Sequence, residues 1–330
     1  MFREESDMKS PCVLVTGVGA IIGQGIIKSL RVEGRPVRIV GIDQNPDALG
    51  ARFCDKFYPK PQNEGGPEYL AFIKGVIQGE EVDLILPGIE HDLFFFDTNR
   101  VYFSGERATI AINHHELIET ACDKWKTMEF LAREGVEVIP TKISGTWSEC
   151  VSYLGPPPLL LKPRQGNGSR NIVRLKSEQD FEYWKQKTGE ECMLQRIIGT
   201  DEDEFTASVF GFENGGATKP IVFRRKLSSS GSTLSASVVD DASIENMIVR
   251  LNSLFRPLGP TNYQFRKEAD KAYLLEVNPR ISSATSLRAA FGFNEAWMCI
   301  DYFLYKTIPA PIKLRKGKAM RYFEDFIEYS

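Results

Sequence analysis

Over roughly the first 120 residues, short unbroken apolar runs alternate with stretches whose apolar positions recur every three or four residues. Residues 11–17 (PCVLVTG), 37–43 (VRIVGID), 83–88 (DLILPG) and 108–113 (ATIAIN) are of the first kind. They are β-branched, apolar on both faces and bounded by Gly, Pro, Asp or Asn, as strands inside a parallel sheet are. Residues 20–34 (AIIGQGIIKSLRVEG) and 67–79 (PEYLAFIKGVIQG) have helical spacing; the first closes on Gly and the second opens on Pro. Strands alternating with helices predict right-handed crossovers and a parallel, doubly wound sheet.

The texture then changes. Residues 123–135 (DKWKTMEFLAREG) read as a helix capped by Asp123. After Pro140 a Pro-rich link leads into a strand, a Gly-rich loop and a second strand across 154–175, and a helix with a capping-box start covers 177–189. From 192 onward strands dominate: 192–198, 205–212, 219–227, 261–268 and 271–280. Helical spacing returns at 243–255 and 294–306, which predicts an antiparallel sheet with helices packed on one face. There is no internal repeat and no low-complexity tract.

Composition narrows the function classes. The chain has 330 residues, 42% hydrophobic and 26% charged, with a net charge of −3, so it has ample core and lacks the basic excess of a dedicated nucleic-acid binder. The six cysteines are scattered without a CxxC and only three histidines occur, which argues against a zinc site or a disulfide framework. The opening MFREESDMKS has no apolar run and no segment reaches the roughly 18 apolar residues of a membrane span, so the expectation is a cytoplasmic protein without a membrane partner.

Gly17, Gly19 and Gly23 follow the first strand and open a helix, and Asp43 ends the second strand. This arrangement admits a dinucleotide site, with the helix N-terminus on a pyrophosphate and Asp43 on a ribose. It equally admits a scaffold in which glycines only let the helix pack on the strand. The spacing G-x-G-x-x-x-G departs from the dinucleotide fingerprint. His91, His114 and His115 offer no evident partner for hydride transfer, which weakens a nicotinamide oxidoreductase reading.

The denser chemistry lies further on. In 159–173 (LLLKPRQGNGSRNIV) a buried strand delivers Lys162, and Gly166, Gly168 and Ser169 make a turn whose backbone N–H groups can fold over phosphates, with Arg164 and Arg170 nearby. In 263–280 (YQFRKEADKAYLLEVNPR), Glu276 and Asn278 alternate on a strand and so share a face, with Gln264 on the strand before it. Those three can offer oxygens to one hard cation; Glu276 paired with Arg280 is the structural alternative. In 194–209, Gln195 to Ile198 offer backbone and an apolar wall to a flat base, and Glu204 can accept from ribose hydroxyls. Arg225 and Lys226, in FRRKLSSSGS (223–232), are candidates to orient a carboxylate or an acceptor, the alternative being a charged strand end beside a solvated loop.

At KPRQGNGSR (162–170) and EVNPR (276–280) the sequence resembles the ATP-grasp superfamily, and in particular single-unit proteins similar to the large chain of carbamoyl phosphate synthase and amino-acid ligases of that branch. The resemblance implies a mixed α/β and α+β fold: a Rossmann-like domain over 1–120, then the two ATP-grasp lobes, 121–192 and 193–330. It makes the opening glycines a scaffold. It assigns Lys124 and Lys162 to the phosphates, Gly166, Gly168 and Ser169 to a mobile lid, Gln195 and Ile198 to the adenine edge, and Glu204 to the ribose. Gln264, Glu276 and Asn278 become magnesium ligands, and Arg280 steadies the transferred phosphoryl group. Two departures stand out: Asn171 where a glycine often follows the Ser-Arg pair, and Gln264 in place of an acid. The implied reaction is ATP- and Mg²⁺-dependent (Mn²⁺ an acceptable substitute): a small carboxylate is phosphorylated and the acyl-phosphate is captured by an amine. The alternatives are phosphorylation of bicarbonate or carbamate, an NAD(P)-dependent oxidoreductase, or an ATP-binding module without turnover. A homodimer is a further expectation, from the aromatic stretches 294–306 and 321–329.

Overall fold

Cys12 and Leu14 turn to one side of the first strand, Val13 and Val15 to the other, and both sides are buried. That two-sided burial is what unbroken apolar runs require. In this computed structural model the described residues are 10–63, 65–166, 171–229, 231–322 and 324–328. β1 (Cys12–Thr16) leads to α1 (Ile21–Val32), β2 (Arg38–Asp43), β3 (Lys56–Pro59), α2 (Pro67–Gly79), β4 (Leu84–Leu86), α3 (Glu90–Thr98), α4 (Arg100–Phe103) and β5 (Thr109–Ile110). The five strands are parallel in the order β3-β2-β1-β4-β5. The order reverses at β1 and β4, so a crevice opens at their C-terminal ends.

The opening glycines are accounted for by packing. A Cβ on Gly23 would stand 2.3 Å from the Gly17 carbonyl oxygen, and Asp43 Oδ2 accepts from the Gly19 N–H at 2.7 Å, occupying the turn that a pyrophosphate would need.

α5 (His115–Cys122) and α6 (Lys124–Arg133) come next, then a small lobe: β6 (Thr141–Lys142), α7 (Trp147–Leu154), β7 (Leu159–Pro163), β8 (Val173–Leu175), α8 (Glu178–Thr188) and β9 (Cys192–Arg196). Its antiparallel sheet runs β6-β9-β7-β8. Leu159, Leu161 and Leu194 pack under α7 and α8 with Cys150 and Phe181, which leaves Leu160, Lys162 and Gln195 on the opposite face. Two boundaries differ from the sequence expectation. β9 pairs with both β6 and β7, so the small lobe runs past 192 to Arg196. α6 packs through Met128 and Leu131 on the larger sheet, so the lobe begins near 140 rather than 121.

The larger sheet is built from β10 (Glu204–Gly211), β11 (Ile221–Leu227), β12 (Thr233–Val239), β13 (Gly259–Glu268), β14 (Lys271–Asn278) and β15 (Lys318–Met320), with α9 (Ala242–Phe255), α10 (Thr285–Ala290) and α11 (Glu295–Cys299). It is antiparallel, in the order β14-β13-β10-β11-β12-β15. Phe205, Ala207, Val209, Tyr263, Phe265 and Leu274 face α5, α6 and α9. The alternate set, Glu204, Thr206, Gln264 and Arg266, lies opposite. The helix expected over 294–306 is α11 continued by a π-helical turn, Ile300–Leu304.

The N-terminal domain is fastened to the larger lobe. α1 lies on α10 and α11, with Gly25 against Thr285, Asn294 Nδ2 donating to the Ser29 carbonyl at 2.8 Å and Trp297 Nε1 to Leu30 at 3.1 Å. Among the described residues no helix is long and apolar enough to cross a membrane.

Gly23→Ala is expected to destabilise the protein by about 2 kcal/mol, because a methyl group must be forced against backbone that cannot rotate away. Urea unfolding measures this directly, and an unchanged midpoint would contradict the packing account.

Candidate active site

The polar face of the larger sheet and the free face of the small sheet enclose a cleft of about 290 Å³. Eight residues expected from the sequence line it: Lys124, Lys162, Gly166, Gln195, Ile198, Glu204, Gln264 and Glu276. One end is apolar. Ile139, Ile198 and Tyr273 pack together with Leu275 beside them, and Leu160, Ile172 and Leu227 complete a slot suited to a flat ring.

Leu275 and Glu276 both reach this cleft although they are consecutive. The ladder shifts register there, Gln264 opposing Glu276 and Phe265 opposing Leu274, and the bulge turns two successive side chains to one side. The corner after Ile198 depends on Gly199, which has a φ of +54°; a Cβ there would stand 2.1 Å from the Lys267 carbonyl oxygen.

Lys162 is almost wholly buried, at 5% exposure. Desolvation, then repulsion from Lys124, pushes its ammonium down from 10.5 to about 8, against the attraction of Glu276. Lys124 is the first residue of α6. Its Nζ donates to the Gly166 carbonyl at 2.7 Å and stands 3.8 Å from Glu276 Oε2. Asp123 fixes that helix start: it caps the Trp125 and Lys126 N–H groups and accepts from Arg164 Nε at 3.1 Å, while the Lys124 N–H donates to the Arg164 carbonyl. The guanidinium and two backbone N–H groups hold the Asp123 carboxyl below its ordinary range against burial.

Glu204 is buried between two guanidinium groups, Arg225 Nη2 at 2.9 Å and Arg266 Nη2 at 3.1 Å. Arg225 also donates to Gln264 Oε1 at 2.7 Å. The Gln264 amide donates to Glu276 Oε1 at 2.8 Å, and Asn278 Nδ2 to the same oxygen at 3.0 Å. Asn278 Oδ1 accepts from Arg280 at 2.9 Å. The three residues expected to ligate a metal therefore meet, but both amides turn nitrogen toward the carboxylate and oxygen toward an arginine. Among the described residues no group of three His, Cys, Asp or Glu could hold a metal; the carboxylates lining the cleft are Glu204, held by two guanidinium groups, and Glu276.

Other expectations are corrected. Lys226 neighbours Arg225 on β11 and so points to the other face, where it is exposed and paired with Glu202 at 2.7 Å; strand alternation removes it from the cleft. The backbone of Gln195 is committed to the ladder, pairing with Leu160 and Thr141, and its Nε2 donates to Thr141 Oγ1. Ile197 and Ile198, beyond the end of that strand, also line the cleft. Gly168 and Ser169, assigned to the lid, lie outside the described residues. Asn171 takes φ +58°, the left-handed conformation that asparagine tolerates best after glycine, which accounts for that departure. Arg280 does not line the cleft; its side chain is largely buried at the crevice of the N-terminal domain, 3.7 Å from Glu90, and its Nε has no acceptor among the described residues.

Arg266 and Glu90 were not singled out from sequence, and Asp123 only as a helix cap. Arg266 was legible, standing two residues from Gln264 on the same strand face. A wider hollow of about 1040 Å³ lies on the other face of the small sheet, under α8, and none of Lys124, Lys162, Glu204 and Glu276 lines it.

A family model described as "ATP-grasp in the biosynthetic pathway with Ter operon" matches residues 199–326. No curated protein matches the chain by sequence. Among solved structures, the chain is similar to biotin carboxylase from Campylobacter jejuni in a β,γ-ATP complex, at 17% identity and TM-score 0.74 over 94% of this chain and 74% of that one. It is similar to the biotin carboxylase domain dimer of 2-oxoglutarate carboxylase from Hydrogenobacter thermophilus, with MgADP, ADP and bicarbonate, at 16%, TM-score 0.72, and the same coverage of 94% and 74%. N5-carboxyaminoimidazole synthetase from Staphylococcus aureus with ADP gives 16% and 0.72 over 93% and 81%. The chain has the ATP-grasp fold.

Lys162→Met is expected to stabilise the nucleotide-free protein at pH 7 by about 3 kcal/mol, the cost implied by a depression from 10.5 to about 8. The folded pKa lies below the unfolded one, so the penalty is full below pH 8 and fades as pH rises to 10.5. Denaturant titrations of both proteins across that range should converge; a variant less stable than wild type at pH 7 would refute the burial cost.

Proposed function

We propose that this chain is an ADP-forming ligase that uses Mg-ATP to phosphorylate a small carboxylate and transfers the acyl group to an amine, forming a C–N bond. The observation that carries the reading is the single cleft lined by Lys124, Lys162, Glu204 and Glu276 with an apolar slot at one end. An apolar wall, a ribose acceptor, two phosphate cations and a carboxylate for the metal are together the chemistry that a nucleoside triphosphate needs. The similar structures with ADP or MgADP support the same assignment.

In this reading the adenine lies between Ile139, Leu160, Ile198 and Leu275 and meets the backbone at Ile197–Ile198. Glu204, steadied by Arg225 and Arg266, accepts from the ribose. Lys162 and Lys124 meet the phosphates; the triphosphate replaces the solvation that Lys162 lacks. Magnesium enters as part of the nucleotide substrate, neutralising phosphate charge, with Glu276 as its protein ligand; Gln264 and Asn278 join if their amides rotate and release Arg225 and Arg280. Asp123 and Arg164 hold Lys124 in place. The protein's contribution is otherwise positioning.

A second reading, phosphorylation of bicarbonate, is favoured by the bicarbonate-bound Hydrogenobacter structure. ADP release with Mg-ATP, measured against a panel of amino acids and other carboxylates and against bicarbonate alone, separates the two. No stimulation by any of them would refute both. Glu276→Gln is expected to lower the turnover so found by about 10²–10³, as removal of a group stabilising transferred charge does.

Nucleotide affinity should also depend on pH. Free Lys162 loses its proton near pH 8, and the bound polyanion restores it. Mg-ATP affinity is therefore expected to fall by about tenfold per unit above pH 8, with one proton taken up on binding. Calorimetry in buffers of different ionisation enthalpy reads that proton, and Lys162→Met should abolish the uptake.

A further inference from the structure

Arginines gather on the cleft side of the larger sheet and on the loop that follows β14, and all but one face an acid. Arg225 pairs with Glu204 at 2.9 Å, Arg266 with Asp201 at 2.8 Å and Arg288 with Glu295 at 3.4 Å, while Arg280 stands 3.7 Å from Glu90. A cavity of about 230 Å³, adjoining the nucleotide cleft on the side of the N-terminal domain, is matched in the same way, with Lys124 3.8 Å from Glu276. Arg321 is the exception. Among the described residues its side chain meets one acceptor, the Ser283 carbonyl, through Nη2, and its Nε is buried without a partner. Burial lowers its pKa, and no acid among the described residues offsets that. A buried donor left in this state calls for an acceptor from elsewhere.

Strand pairing fixes the side to which this guanidinium turns. Arg225 lies opposite Ala236 and Ala236 opposite Ala319, so the three share a face. Arg321, two residues past Ala319, returns to that face, and its backbone N–H donates to the Leu234 carbonyl at 2.8 Å. Arg225 bonds there to Glu204 and Gln264, which line the nucleotide cleft. Glu276 stands at the other edge of the same six-stranded sheet; strands about 4.8 Å apart set the two edges roughly 24 Å apart. An anion held by Arg321 is therefore not the group placed against the triphosphate. The loop after β14 keeps it within one small molecule's span, since Ser283 lies three residues past Arg280, a reach of at most about 10 Å.

We infer that the acid substrate carries a second anionic group, a carboxylate or a phosphate, and that Arg321 binds it. The inference rests on the ligase reading above and narrows its substrate to acids with two anionic groups. A guanidinium fork matches either oxyanion, and the buried Nε gains the acceptor that the chain does not supply. One end of the substrate meets the triphosphate beside Lys124 and Glu276. The other is fixed by Arg321, so an acid without the second charge binds weakly.

The test compares acids of similar length that differ in that charge: glutamate with glutamine, succinate with succinamate, phosphoserine with serine. Hydroxylamine serves as the common acceptor, and hydroxamate is measured beside ADP release from Mg-ATP. The wild-type protein is expected to use the charged member of at least one pair with a KM about ten- to a hundredfold below that of its neutral partner, the range for one charged hydrogen bond. The succinate and phosphoserine pairs tell carboxylate from phosphate. Arg321→Met should erase the preference, through KM rather than kcat, and Arg321→Lys should restore part of it. Mg-ATP binding by both variants, read as a thermal shift, confirms an intact fold, and the wild-type preference needs neither variant. Equal use of charged and neutral partners by the wild type, or a preference that survives in Arg321→Met, overturns the inference while the ligase reading stands. A wild-type protein that turns over no carboxylate overturns both together.

Discussion

One ammonium group sets the terms for the rest of the cleft. Lys162 sits on an interior strand, almost wholly buried, with Lys124 and Arg266 adding repulsion and Glu276 alone offsetting it. The small sheet holds β7 between β8 and β9 and so fixes the position from which the side chain enters the cleft. The result is a site with excess positive charge before any ligand arrives, at a cost to the free protein. Such cost is characteristic of sites preorganised for a polyanion, where no rearrangement is left for the moment of binding.

The larger sheet solves a related problem by alternation. Every second residue faces α5, α6 and α9 and is apolar; the residues between carry the chemistry. A bulge then brings Leu275 and Glu276 to the same side, so that one strand supplies both an apolar wall and a carboxylate. Deeper on that face, Arg288 and Glu295 are fully buried and paired at 3.4 Å, and Arg288 reaches Thr206 and Asn262. This pair joins α10 and α11 to the strands that bear the acidic groups, and α1 clamps the same two helices from outside. Fold and site are thus held by one connected set of contacts.

Much of this was legible in the chain. The doubly wound sheet followed from unbroken apolar runs, and Lys162, Gln264 and Glu276 from a glycine loop and a two-residue period, since those signals are local. What escaped was long-range. β9 reads as the start of a new lobe, yet its partners lie at 141–142 and 159–163, and only pairing assigns it to the small sheet. Lys226 looked equivalent to Arg225 because a basic run hides which face each residue takes. Glu90 meets Arg280 across 190 residues of chain, a proximity with no trace in either segment.

The shared lining of the two cavities has a further consequence. Lys124, Gln165, Gly166 and Glu276 line both the cleft and a neighbouring cavity of about 230 Å³ on the side of the N-terminal domain, so the two spaces meet at one partition. On the ligase reading, a group activated at that partition has this second space immediately beside it. The two chambers share one wall, so a substitution of Lys124 or Glu276 alters both at once.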